Sequence, residues 1–238
     1  MDHKFTSGSI LTQTFSIFFS NFVAFGTIVV LILSPSLIFQ VWFGLETFEN
    51  PGEFPWQFFV LLLLGLLLTP VATGALTYGV FQSVRGKQAS VSDCLSVGFS
   101  RLFPVLGVGI LSGLITMFGF MLCIVPGIIA ATILAAAVPS AVIERPGVLG
   151  ALTRSSDLTK DYRWTVFGVI FGLGILQLVA GLFVTFVGTL SIHLSLGLNV
   201  VTTVIFTGLQ ATAPALIYYH LRKAKESIDV EDIAAVFD

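Results

Sequence analysis

Six long hydrophobic runs, each free of Asp, Glu, Lys and Arg, dominate the pattern of apolar and polar positions along this chain. They cover residues 22–43, 56–81, 102–123, 126–143, 164–190 and 196–220. About 20 apolar residues, rising ~1.5 Å each in a helix, cross the roughly 30 Å hydrocarbon core of a bilayer. The runs are continuous and do not alternate every second residue, so they predict helices and not the strands of a barrel.

The predicted fold class is therefore all-α integral membrane, with six transmembrane helices. One six-helix domain covers residues 1–220, and residues 221–238 form an acidic tail. The composition agrees, because 55% of residues are hydrophobic and only 10% are charged, against roughly 25% charged in soluble domains. All three Trp and all four Tyr lie near predicted span ends, where amphipathic rings favour headgroup depth.

Three of the segments between the runs have the period of an amphipathic helix. Residues 10–22 repeat apolar side chains every three or four positions, as one helical face requires. The second segment opens with Ser90 and Asp93, a capping-box-like start. The third follows the chain break at Pro146 and Gly147. We expect three interfacial helices on the cytoplasmic surface, each leading directly into a span.

The order of elements repeats three times: interfacial helix, span, turn, returning span. The residues from Phe19 to Phe22 align with those from Phe99 to Leu102, eighty positions later. Units of two spans must be parallel repeats. The pattern therefore favours three parallel hairpins around a pseudo-threefold axis.

The basic residues predict the orientation of the chain. All eleven Lys and Arg lie at residue 4 or within 85–101, 145–163 and 222–225, on one side of the predicted membrane. The first connection on the other side carries Glu46, Glu49 and Glu53 instead. By the positive-inside bias, both termini are predicted to be cytoplasmic. A net charge of −2 gives no reason to expect a nucleic-acid partner.

Polar groups at span depth are the first candidate contacts. Ser112, Gln177 and Gln210 lie within predicted spans, where an unpaired polar group is costly. Hydrogen bonding between helices is the favoured interpretation. The alternative is a path for a small, uncharged solute, supported by four prolines that are expected to kink their spans: Pro35, Pro70, Pro139 and Pro214.

Catalytic and metal-binding signatures do not occur. The sequence has no GxSxG, HExxH or GxxxxGK[ST] motif, and its three histidines lack Cys, Asp or Glu at ligand spacing. We therefore expect a protein that is not an enzyme and has no cofactor. The glycine pairs Gly109/Gly113 and Gly168/Gly172 are expected to pack spans within the chain rather than to form a dimer seam.

One stretch carries a family resemblance. It contains Val125-Pro-Gly, Pro139 followed by Val142-Ile-Glu144, Ala151-Leu-Thr-Arg154-Ser155 and, at the start of the fifth span, Trp164. This order resembles the six-span bacterial proteins similar to the membrane domain of glycerophosphodiester phosphodiesterases, a group that includes the YciC-like proteins. The resemblance implies a bacterial inner-membrane location. It does not imply hydrolase activity, because the residues after the last span are too few for the separate soluble barrel of that enzyme.

The same stretch supplies the candidate contact residues. Arg154 is expected to bind a lipid phosphate or a neighbouring carboxylate such as Glu144, and Ser155 to cap or pack; partner recognition is the alternative. Arg101 and Trp164 lie where the chain enters the predicted bilayer. With Glu144, Arg154 and Ser155 they are the predicted lipid or partner contacts. We expect a non-enzymatic multi-pass protein that acts through lipid interaction or as a scaffold or accessory subunit, with membrane lipids and other membrane proteins as partners. The alternative is a channel or carrier.

Overall fold

The computed structural model describes residues 6–49 and 56–226, without the side chains of 45–49. Within these ranges the chain is helical, with no strand. The helices are α1 (Ser7–Ser20), α2 (Phe22–Glu49), α3 (Trp56–Val84), α4 (Val91–Ser100), α5 (Leu102–Leu122), α6 (Ile124–Ile133), α7 (Ala137–Ile143), α8 (Gly147–Thr159), α9 (Arg163–Gly188) and α10 (Ile192–Glu226).

Six helical segments in the described ranges are long and apolar enough to cross a membrane, which confirms the predicted multi-pass membrane class. They are α2, α3, α5, α6 with α7, α9 and α10. The last helix is longer than predicted and continues through Arg222 to Glu226, six residues into the expected tail. The rest of that tail and Glu53 lie outside the described residues, as do the side chains of Glu46 and Glu49.

The centre of the bundle is formed by α3 and α10, which pack against each other and against α2. The ring of Phe81 meets those of Tyr218 and Tyr219 edge-on, at 6.3 Å between centroids in each case. Because lipid tails are as apolar as Leu and Phe, close van der Waals packing holds such helices together, and small residues are needed where they touch. Gly79 of α3 is one such residue, since a Cβ there would collide with Phe25.

Both predicted glycine pairs pack against helices of the same chain. Gly109 and Gly113 of α5 face Pro70 and Leu66 of α3. Gly168 and Gly172 of α9 face Ser7 and Leu11 of α1. The expected packing of one span on another is found for the α5 pair, whereas the α9 pair packs against the short helix α1.

Three junctions, each between a short helix and a following span, have nearly the same backbone conformation. Asn21 has φ −115° and ψ 25°, Arg101 has φ −110° and ψ 16°, and Tyr162 has φ −120° and ψ 18°. We call the end of the bundle that holds these three residues the junction end. At each of them the chain changes direction and enters a long apolar helix.

The start of α4 differs from the capping box expected at Ser90. Its hydroxyl makes no cap bond and instead lies 2.9 Å from the hydroxyl of Ser92. Asp93 is too short for the reciprocal bond that Glu or Gln makes in that motif. The capping box is found at α1, between Thr6 and Ser9.

The fourth span, predicted over 126–143 with a kink at Pro139, is interrupted by a turn, which is a larger disruption than a kink. Helix α6 ends at Ile133, α7 begins at Ala137, and residues 134–136 form a turn. Pro139 explains the position of the break, because a proline ring clashes with the carbonyl four residues earlier, here that of Ala135. The other three prolines, Pro35, Pro70 and Pro214, lie inside uninterrupted helices.

Candidate functional site

A tight turn at the junction end places Glu144 opposite α8. Glu144 follows the last residue of α7, and Arg145 and Gly147 both have positive φ, 55° and 78°. Glycine adopts this left-handed conformation readily, whereas Arg145 does so at some cost. The turn sends α8 back across α7, so that Arg154 reaches the Glu144 carboxylate.

The Glu144 carboxylate is the centre of a polar cluster. Arg154 Nε donates to its two oxygens at 2.9 and 2.8 Å. The Tyr218 hydroxyl of α10 donates to Oε1 at 2.6 Å, and Arg222 Nε lies 3.7 Å from the same oxygen. The Arg154–Glu144 pair that the sequence suggested as one alternative is therefore present.

Glu226 closes the cluster from the end of α10. It accepts from Arg222 Nε at 2.8 Å and from Arg154 Nη2. Burial by itself lowers the pKa of the Arg154 guanidinium, but its bonds to Glu144 and Glu226 outweigh burial and the net pKa is raised. Two guanidinium and two carboxylate groups thus neutralise one another, and α7, α8 and α10 are tied together.

Ser155, the neighbour of Arg154, is buried at the break in the fourth span. Its hydroxyl accepts from the Ala136 N–H at 3.1 Å and donates to the Ile133 carbonyl at 2.6 Å. Thr159 Oγ1, one turn later, is 3.4 Å from the same carbonyl. These side chains replace helical bonds that the break removes, which the bilayer core itself cannot supply. The expected capping or packing role of Ser155 matches this geometry.

Arg101 lies at the second junction and contacts the same turn from α5. Its Nη1 donates to the Val142 carbonyl at 2.7 Å. Partial burial, and then the charge of Arg145, lower the pKa of Arg101. Arg101 therefore binds the end of α7, two residues before Glu144, and does not join the carboxylate cluster.

A second pair of charges connects α10 to the end of α8. Lys225 Nζ is 2.6 Å from Asp161 Oδ2 and 2.6 Å from the Asp157 carbonyl oxygen. The hydrogen bond from Lys225, and then its charge, lower the pKa of the exposed Asp161 carboxyl. This contact extends the attachment of α8 to α10 beyond the Glu144 cluster.

Trp164 is separate from these contacts. It lies two residues after the third junction, is 85% exposed, and lines a groove between α6 and α9. Of the five residues predicted as lipid or partner contacts, Glu144 and Arg154 bind each other. Ser155 binds the backbone at the break in the fourth span, and Arg101 binds the Val142 carbonyl.

The polar residues at span depth have two kinds of surroundings. The Gln210 amide of α10 donates to the Gln177 amide oxygen of α9 on the surface of the bundle. Gln177 also lines a groove of about 530 Å³ with Asn199 and Thr202. Ser112 lines a different groove, between α5 and α6, and its hydroxyl has no hydrogen-bond partner within the described ranges.

Three members of the polar cluster, Tyr218, Arg222 and Glu226, were missed as site residues from sequence. They follow one another at intervals of four along α10, the spacing of one helical face. This spacing identifies them once the last predicted helix is extended past residue 220. Among the described residues no group of three His, Cys, Asp or Glu side chains is placed to hold a metal ion.

Comparison of the chain with protein-family models, with curated proteins and with solved structures found no match. The geometry of the chain is therefore the basis for the function proposed below.

Proposed function

We propose that the chain is a non-enzymatic multi-pass membrane protein that acts through lipid interaction or as a scaffold or accessory subunit of a membrane complex. One observation carries the proposal. The residue two positions after each junction is apolar and strongly exposed: Val23 is 81% exposed, Phe103 85% and Trp164 85%. Large apolar groups at one end of a membrane bundle favour contact with lipids or with other membrane proteins.

The equivalence of these positions supports the repeat and the interfacial helices. The three residues follow junctions of matching backbone angles. Two positions before the first two junctions, Phe19 and Phe99 are also exposed. We propose that α1, α4 and α8 lie at the membrane surface and that each begins a unit with two span-forming segments.

Charge supports the proposed location. The basic residues of the described ranges lie at the junction end or in its flanking turns, with α10 carrying Arg222, Lys223 and Lys225. Under the positive-inside bias this end faces the cytoplasm. We propose a bacterial inner membrane with both termini cytoplasmic, in keeping with the resemblance to the YciC-like membrane proteins.

The Glu144 cluster supports a structural role at this end. Its carboxylate is engaged by two side chains and its arginines are paired, whereas a general base or nucleophile needs a group available to the substrate. The cluster fixes the turn before α8 and the end of α10. A rigid junction end suits a docking surface.

The alternative, a channel or carrier for a small uncharged solute, has weaker support. Its best feature is the groove beside Gln177, lined by Asn199 and Thr202. Gln210 is not among the residues of that groove, and its amide is used in the bond to Gln177. Hydrogen bonding between two helices accounts for both amides.

Native purification with mass spectrometry of retained lipids and proteins tests the proposal. We expect retained lipid or a partner, reduced in Phe103→Ala and unchanged in Phe118→Ala. The two phenylalanines lie on the same helix and both are exposed, so the second variant controls for the loss of an aromatic ring. A wild-type protein that emerged without lipid or partner would end the accessory and lipid proposals.

A further inference from the structure

An apolar groove of about 500 Å³ lies between α6 and the first turns of α9. Its walls are formed by Val125, Ile128, Ile129, Thr132, Arg163, Trp164 and Phe167. The hydroxyl of Thr132 donates to the Ile128 carbonyl. Apart from Arg163 and Trp164, the groove therefore offers hydrocarbon to an occupant.

One end of this groove carries the guanidinium of Arg163, which contacts no carboxylate among the described residues. Arg163 is exposed and, in the part of the chain that the structure describes, forms no ion pair or hydrogen bond. Asp161, two residues earlier, acts on it only at longer range and pairs with Lys225 instead. The guanidinium is thus available to an anion, beside the indole of Trp164.

The groove is long enough to hold part of an acyl chain. The part of α6 that lines the groove runs from Val125 to Thr132, a helical rise of about 10 Å at ~1.5 Å per residue. Val125 and Ile129 are exposed along it. In a membrane protein, an open apolar groove on an outer helix faces the lipid tails.

We infer that this groove binds one anionic glycerophospholipid, with its phosphate on Arg163 and an acyl chain along α6. Guanidinium groups bind phosphate through paired, charge-assisted hydrogen bonds, and Trp favours the depth of the headgroup. The inference rests on the proposed lipid interaction and specifies its site and lipid class. A zwitterionic lipid such as phosphatidylcholine presents the same phosphate together with a cationic choline, which the Arg163 charge repels, so an anionic headgroup is preferred.

Binding of phosphatidylglycerol and phosphatidylcholine with identical acyl chains to the full chain in detergent tests the site. Native mass spectrometry gives the fraction bound. Arg163→Gln removes the cation, and Ile129→Trp fills the groove from an exposed position. Lys87→Gln is the matched control, because Lys87 is also exposed and loses the same charge. Unchanged elution and thermal midpoint show that each variant is folded.

We expect the wild type to prefer phosphatidylglycerol by about tenfold, and Arg163→Gln to lose most of that preference, as for one charge-assisted contact. Ile129→Trp weakens both lipids, and Lys87→Gln changes neither. An equal loss in Lys87→Gln overturns the inference, because binding is then general charge attraction. The inference is also overturned if oleate binds through Arg163 as tightly as phosphatidylglycerol does, because the occupant is then a fatty acid. It is overturned as well if the wild type is a dimer that Ile129→Trp abolishes, because the occupant is then a second copy of the chain.

The failure of this inference differs from failure of the proposed function. Retained lipid that is insensitive to both Arg163→Gln and Ile129→Trp removes the groove site and leaves lipid interaction standing. A wild type that retains neither lipid nor partner removes both.

Discussion

The hydroxyl of Ser155 on α8 accepts the Ala136 N–H at 3.1 Å, inside the break of the fourth span. The same oxygen donates to the Ile133 carbonyl at 2.6 Å. A side chain from a neighbouring helix thus bridges the two halves of an interrupted span. This contact explains how a Pro139-induced break is tolerated in a segment that must satisfy its own backbone.

Ser155→Ala is expected to destabilise the protein by about 1–3 kcal/mol, because it leaves the buried Ala136 N–H without a partner and the part-buried Ile133 carbonyl with only the longer Thr159 contact. Thermal unfolding in detergent measures the effect. Ser156→Ala is the matched control, since the adjacent serine is less buried and has no comparable contact with the break. Equal midpoints for wild type and Ser155→Ala would show that the bridge contributes nothing.

Glu144 and Arg154 are expected to show a coupling of about 1 kcal/mol in a double-mutant cycle. One donor, the Arg154 Nε–H, is shared between the two Glu144 oxygens, and both side chains remain partly exposed, so solvent reduces the gain. Glu144→Gln, Arg154→Gln and the double variant are compared by thermal unfolding. Each single change leaves the cluster with one charge in excess, and the double variant restores the balance and recovers part of the loss. Strictly additive losses would mean that the pair contributes no interaction energy.

The spans could be predicted from sequence because each is a continuous run whose length matches the bilayer. The bridge could not, since Ser155 and Ala136 are 19 positions apart and meet only through the turn after Glu144. Pro139 predicted a kink in its span, but nothing local shows that the helix stops at Ile133. The prolines Pro35, Pro70 and Pro214 carry the same signal and lie in unbroken helices.

The polar cluster was predictable in part. Glu144 and Arg154 are charged residues next to predicted spans, and the sequence predicts their pairing as one of two alternatives. Because hydropathy falls at His220, the sequence predicts a tail at Arg222 and Glu226, although the helix continues to Glu226. Hydropathy locates the apolar part of a helix and does not report where its hydrogen bonding ends.

Gly109→Ala is expected to destabilise the bundle, while Gly174→Ala leaves it unchanged or slightly more stable. A Cβ at Gly109 would overlap the Pro70 ring of α3, whereas at Gly174 it meets nothing within 4 Å. Alanine otherwise favours a helix over glycine by roughly 0.5–1 kcal/mol, so the sign of each change reports the local space. The midpoint of thermal unfolding is the measurement. A neutral Gly109→Ala would mean that α5 and α3 are less closely packed than the structure shows.

The orientation of the chain is testable by cysteine labelling from outside the cell. A cysteine that replaces Glu49, beyond the first apolar run, is expected to react with an impermeant maleimide. A cysteine that replaces Lys87, near the second junction, is expected to react only after the membrane is opened. Both variants are made in a background in which the native residues Cys94 and Cys123 are replaced by serine. This result is expected because every Lys and Arg lies on one side of the predicted membrane, which the positive-inside bias makes the cytoplasmic side. The reverse labelling pattern would place the junction end outside. The proposed cytoplasmic position of α1, α4 and α8 would then be wrong, although their packing against the spans would not change.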